Sequence, residues 1–157
     1  MNTPIHHIQV SRLMMADTQK CYAIVADYRN KHPLILPGKY FSPLTVEAGG
    51  YGAGTVVSFE MRALGEMRKF RMAITEPQPS HVLEERDLET GITTTFVFEP
   101  IAEGRHCHLS ISTRMAFPQG IKGEIERRVT TRLLKRIHNS QLTMMENLLK
   151  QQQVMPC

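Results

Sequence analysis

The chain has 157 residues, 41% of them hydrophobic and 22% charged, with a formal net charge of +4. That length fits one domain, able to bury roughly 70% of the surface its unfolded form exposes, so folding requires neither a metal nor a disulfide. No apolar run approaches the ~18 residues of a membrane span, and Met1 to Val10 lacks the basic start and apolar core of a signal peptide. Cys21, Cys107 and Cys157 are scattered without CxxC spacing, which argues against a zinc site or a disulfide framework. Unpaired thiols fit a reducing compartment, and the expected location is cytoplasmic.

In chain order, Ile5 to Met15 reads as a first strand, with Ile8 and Val10 alternating against Gln9 and Ser11. Asp17 is a good N-cap for a helix over Thr18 to Ala26, with Cys21, Tyr22, Ile24 and Val25 inward. A second short helical turn over Asp27 to Lys31 must stop near His32-Pro33, because the residue before a proline avoids the helical region. Leu34 to Phe41 reads as loop. Strands follow: Leu44 to Ala48, Thr55 to Arg62, Lys69 to Thr75, His81 to Leu88, Ile92 to Glu99 and Arg105 to Met115. Turns or breakers separate them at Gly49 to Gly54, Gly65, Glu76 to Ser80, Glu89 to Gly91 and Pro100 to Gly104. This spacing predicts an antiparallel meander.

After Gly120 the apolar period changes from two to about 3.6. Ile121, Ile125, Val129, Leu133, Ile137, Met144 and Leu148 make the stripe of one long amphipathic helix to about Gln152, with a frayed tail over Gln153 to Cys157. The expected fold class is therefore α+β: a curved antiparallel sheet of six or seven strands, two short helices after the first strand, and a long C-terminal helix across the sheet. Residues 1–157 form a single domain, with its core over about 5–152. Such a helix does not fill all the space above a curved sheet, and ligands bind in gaps of that kind.

Several short stretches carry a resemblance to a known family: Val10-Ser11-Arg12 before a helix ending in Ala26-Asp27-Tyr28, Gly49-Gly50-Tyr51-Gly52-Ala53-Gly54-Thr55-Val56-Val57, and Ile74-Thr75-Glu76-Pro77-Gln78-Pro79. In this order, and with these elements, the chain resembles the START-like or SRPBCC superfamily, in particular its polyketide cyclase/dehydrase-like branch, from about Ile5 to Leu149. The resemblance implies a helix-grip fold with a deep pocket for lipids, sterols, polyketides or other apolar molecules. It implies no particular reaction, since members range from carriers to enzymes.

Strand and helix periods place Phe59, Phe70, Met72, Leu83, Phe96, Leu109, Ile137 and Met144 around that pocket, with polar groups among Tyr40, Glu85, Asp87, Thr94 and Thr113. Glu85 and Asp87 share parity with inward Leu83. Either they are carboxylates within an apolar pocket, with raised pKa values suited to acid–base work, or they sit solvated near its open end or on a bulge that turns them outward. Tyr28, His32 and Tyr40 flank the expected pocket entrance. His106 and His108 share one strand face, but the alternate set Cys107, Leu109 and Ile111 is apolar and inward, which sends the histidines toward solvent. No third ligand with metal spacing accompanies them, or His6 and His7, so no metal or other cofactor is expected. The Gly49 to Gly54 stretch lacks the Lys-Ser/Thr of a phosphate loop and reads as a hairpin connection.

The basic residues Arg128, Arg132, Lys135 and Arg136 share one face of the last helix. A face of this kind is solvated, or meets an anionic membrane transiently; without stacking aromatics it does not suit single-stranded nucleic acid. The leading functional expectation is non-covalent capture of a small hydrophobic or amphipathic molecule. The alternative is a cyclase or dehydratase acting on a polyketide-like substrate through cavity carboxylates.

Overall fold

The computed structural model describes residues 3–154. Seven strands, β1 (Ile5–Met14), β2 (Thr45–Ala48), β3 (Val56–Ala63), β4 (Glu66–Gln78), β5 (Val82–Asp87), β6 (Thr93–Ile101) and β7 (His106–Ala116), form one sheet in the order β1-β7-β6-β5-β4-β3-β2. Every neighbouring pair is antiparallel. Helix α1 (Thr18–Ala26) follows β1, a 3-10 turn occupies His32–Ile35, and α2 (Ile121–Val154) closes the chain. The fold is α+β and helix-grip, as the change of period at Gly120 predicts.

Local chemistry explains the boundaries. The Asp17 carboxylate accepts from the Lys20 backbone N–H at 2.8 Å and caps α1. The second helical segment lies later than expected, beginning at His32 rather than ending before it. Pro33 takes its first turn, where a missing N–H costs nothing. β4 is longer than expected and runs through Pro77, because its register against β5 shifts between Thr75 and Gln78. A proline is tolerated at such an irregularity. Gly123 sits in the first turn of α2 although glycine weakens helices. A Cβ there would fall 1.6 Å from the Pro118 carbonyl oxygen, so only glycine lets the β7–α2 link fold back so closely.

The helix and sheet make a wedge. At the narrow end, Leu142, Met145 and Leu149 of α2 are buried with Leu83, Phe98, Cys107 and Leu109 of the sheet and Cys21 and Ile24 of α1. At the wide end the stripe is not covered: Ile121, Ile125 and Val129 are 82%, 58% and 40% exposed. Only from Leu133 onward does the helix descend onto the sheet. On β7, Cys107, Leu109 and Ile111 are buried while His106 and His108 are half-buried on the other face, the alternation expected of that strand. The α2 helix continues to Val154, past the expected fraying point at Gln153, and Met155 to Cys157 lie outside the described residues.

Candidate functional site

Where the wedge opens, a partly open cavity of about 500 Å³ lies between the sheet and the helix residues 126–141. Its apolar wall is an aromatic shelf. Phe59 lies 5.6 Å from Phe41 and 5.6 Å from Phe70 between ring centroids, with Met61, Met72 and Phe96 nearby on the lining. Leu64 and Arg68, from the β3–β4 hairpin, and Glu126 and Thr130, from α2, also border it.

The polar wall comes from strand register. Glu85 pairs with Thr94, and Thr94 pairs with Thr113, so the three side chains form one row across β5, β6 and β7. Directly paired residues have Cβ atoms about 5 Å apart. All three line the cavity.

At one end of the row Glu85 is buried under Tyr28 and His32. The Tyr28 hydroxyl donates to Glu85 Oε1 at 3.0 Å, and His32 Nε2 lies 3.7 Å from the same oxygen. The other imidazole nitrogen, Nδ1, is 2.7 Å from the Val25 carbonyl, which can only accept, so Nδ1 carries a hydrogen. The ring is fixed by stacking on Tyr28 at 4.3 Å and by an edge contact with Phe96 at 6.1 Å. Glu85 Oε2 has no hydrogen-bond partner among the described residues. Burial pushes the Glu85 carboxyl above its ordinary value, against the opposing pull of His32 and the Tyr28 hydroxyl. Burial, with the Glu85 charge next, also pushes Tyr28 well up, so it stays a donor.

At the other end, four groups are linked in series. Thr94 Oγ1 is 2.9 Å from Thr113 Oγ1, Thr113 Oγ1 is 2.9 Å from His138 Nε2, and His138 Nδ1 is 2.9 Å from Gln141 Oε1. Burial lowers the His138 pKa, outweighing the Gln141 bond, so the ring is neutral.

The expected site residues divide between this cavity and the packed end of the wedge. Phe59, Phe70, Met72, Glu85, Thr94, Phe96, Thr113 and Ile137 line the cavity. Leu83 and Leu109 are in the solid core, and Met144 packs half-buried against it, because α1 and the second half of α2 close on the sheet there. Tyr40 is buried elsewhere: its carbonyl accepts from the Arg62 N–H, and Lys39 Nζ sits 5.5 Å from its ring. His138 and Gln141 are not among the expected site residues, although both line the cavity and Gln141 stands one helical turn from Ile137 on the inward stripe.

Asp87 has the expected parity but serves a turn instead of the cavity. Its carboxylate accepts from the Arg71 N–H, the Thr90 N–H and the Thr90 hydroxyl at 3.0, 2.9 and 2.7 Å. Burial raises its pKa, but these donors outweigh it and hold the carboxyl below its ordinary 3.8. Asp87→Ala should destabilise the fold by about 3 kcal/mol in urea unfolding, since bonds to a charged acceptor contribute about 1.5–3 kcal/mol each and water replaces part of them. A depressed pKa stabilises above the unfolded value, so the difference should shrink as pH falls below about 3.8 and on through the lower folded-state pKa. An Asp87→Ala protein as stable as the parent at neutral pH would refute this role.

His108 Nδ1 lies 3.9 Å from Glu99 on the outer face, and no group of three His, Cys, Asp or Glu among the described residues is arranged to hold a metal ion. Arg128, Arg132, Lys135 and Arg136 are exposed along α2, where Arg128 pairs with Glu124 at 3.1 Å. No helix among the described residues is long and apolar enough to cross a membrane.

No family model matches the sequence, and neither does any curated protein. Solved structures do match. The KanY protein shares a TM-score of 0.80 at 21% identity, over 96% of this chain and 99% of that one. A START superfamily protein from Mycobacterium smegmatis gives 0.72 at 13% identity, over 93% and 98%. Ara h 8.0201 gives 0.63 at 9% identity, over 94% and 99%. Element order, sheet topology and these likenesses agree: the chain has the START-like, SRPBCC helix-grip fold.

Proposed function

We propose that the protein binds a small hydrophobic or amphipathic molecule, of lipid, polyketide or aromatic type, without covalent attachment. The observation that carries this reading is the cavity itself: about 500 Å³, with an aromatic shelf on one side and a short polar row on the other. Ligand pockets commonly span about 300–1,000 Å³ and combine a mostly apolar lining with a few directional polar groups. Its apolar part would take the ligand body, and Glu85 and Thr94 would orient its polar end.

The test uses the fluorescent apolar probe 1-anilinonaphthalene-8-sulfonate with the folded protein. Its emission should rise on binding, and Met72→Arg should weaken binding at least tenfold while circular dichroism stays unchanged. Should that variant not fold, Phe59→Ala removes the middle of the shelf with little cost to packing and should weaken binding too. No probe binding by the parent protein, or equal binding by parent and folded variants, would overturn the reading.

A further inference from the structure

Resting on that reading, we infer that the ligand is a hydrogen-bond donor, an aromatic or alicyclic compound carrying two hydroxyl groups, and that Glu85 and Thr94 accept one hydroxyl each.

The inference follows from the direction of the hydrogens. Gln141 Oε1 accepts at His138 Nδ1, so in the neutral imidazole the hydrogen is on Nδ1 and Nε2 is a bare acceptor. Thr113, at 2.9 Å, must then donate its only hydroxyl hydrogen to Nε2. Its oxygen is left to accept, so Thr94, at 2.9 Å, donates its hydrogen to Thr113. Thr94 therefore has no hydrogen left for a ligand and turns only lone pairs to the cavity. The buried helix imidazole, two hydrogen bonds away, sets the polarity of the group that meets the ligand.

Glu85 adds a second acceptor beside the first. Tyr28 occupies Oε1, and Oε2 has no partner among the described residues on a side chain that lines the same cavity. Oε2 therefore opens on the cavity as a free acceptor, and a ligand hydroxyl can donate to it where an ether or ketone oxygen cannot. Register puts Glu85 and Thr94 directly opposite one another, so the two acceptors stand side by side on adjacent strands. A ring carrying two hydroxyls can present one to each acceptor. An acceptor-only ligand, such as a quinone or a dimethyl ether, would set oxygen lone pairs against lone pairs.

The groups around Glu85 define how this responds to pH. Tyr28 and His32 face it from the segment after α1, Ile74 and Thr94 flank it on β4 and β6, and His138 lies on the α2 wall of the same cavity. Glu66, Arg68 and Glu126 border that cavity from the β3–β4 hairpin and α2. As Glu85 ionises, Oε2 becomes a stronger acceptor, and affinity for a diphenol should rise as pH increases through its raised pKa.

The experiment compares 1,3-dihydroxynaphthalene with 1,3-dimethoxynaphthalene, each displacing the anilinonaphthalene probe. The dihydroxy compound should bind the parent protein at least tenfold tighter. Glu85→Gln and Thr94→Val should each reduce that ratio severalfold. Thr113→Val should also reduce it, because the Thr94 hydrogen is then free to turn toward the ligand and serve an acceptor. A purely structural role for Thr113 would weaken both compounds alike and leave the ratio unchanged. Equal affinities for the two naphthalenes, or a ratio untouched by all three variants, would overturn the inference while leaving the binding reading intact. Failure of the probe itself to bind would remove both.

Discussion

Phe98→Ala will lower the free energy of unfolding by about 3–5 kcal/mol, whereas Phe59→Ala, the same change one wall away, will cost less than about 2 kcal/mol. Phe98 is 1% exposed, with Tyr22 edge-on at 4.9 Å between ring centroids, in the solid end of the wedge. Removing its ring leaves a void that the β6 and β7 backbones, held by their ladder, cannot close. The loss is then the transfer free energy of the ring plus a term for the residual cavity. Phe59 is half-buried and already borders open space, so its removal enlarges a cavity instead of creating one. Only part of the roughly 1.5–3 kcal/mol for burying an aromatic side chain is at stake there. Chemical denaturation of both variants measures the contrast. Equal losses would mean that the space beside Phe59 is packed, and the proposal of a ligand cavity would lose its basis. The pair also separates stability from function, since Phe98→Ala should leave probe binding nearly unchanged in whatever fraction remains folded.

Much of this arrangement was legible in residue order, and the exceptions have physical causes. Period two along β5, β6 and β7 put Glu85, Thr94 and Thr113 on the inner face, and the structure places all three there. Parity alone does not say how far along a strand the helix lifts away. That is why Leu83 and Leu109, with correct parity, belong to the packed end and not to the cavity. Asp87, a candidate by strand parity alone, stays out of the cavity for a different reason: the stretch Asp87 to Gly91 is a turn in which its carboxylate accepts from Thr90, and turn chemistry overrides strand parity. The period that marks α2 is carried by its apolar residues, so His138 and Gln141 do not stand out in it. A polar residue on an inward stripe is the better signal of a site, because burying it requires a partner. Their partners, two threonines on other strands, depend on a sheet register that a single sequence does not specify.

Glu85→Gln will stabilise the unliganded protein at neutral pH, which is the reverse of what replacing a buried, hydrogen-bonded carboxylate usually does. The amide keeps an oxygen to accept from Tyr28, and it removes a charge that burial disfavours. The sign follows from linkage. The folded-state pKa of Glu85 is raised above the ordinary 4.5, so between that value and the raised one the folded protein binds more protons than the unfolded chain. Over that interval the parent protein loses stability as pH increases, at about 1.4 kcal/mol for each tenfold difference in proton affinity between the two states. The variant has nothing to titrate there and should show no such slope. Urea unfolding near pH 4 should therefore find the two proteins similar, and near pH 7 the variant should be the more stable. A variant that is less stable at pH 7, with a gap that widens as pH rises, would mean that His32 holds Glu85 as a stabilising ion pair. Saturating 1,3-dihydroxynaphthalene should invert the order at pH 7, because a ligand adds stability to the state that binds it more tightly. The carboxylate is then a group that costs the empty protein stability and returns it when a hydroxyl donor arrives.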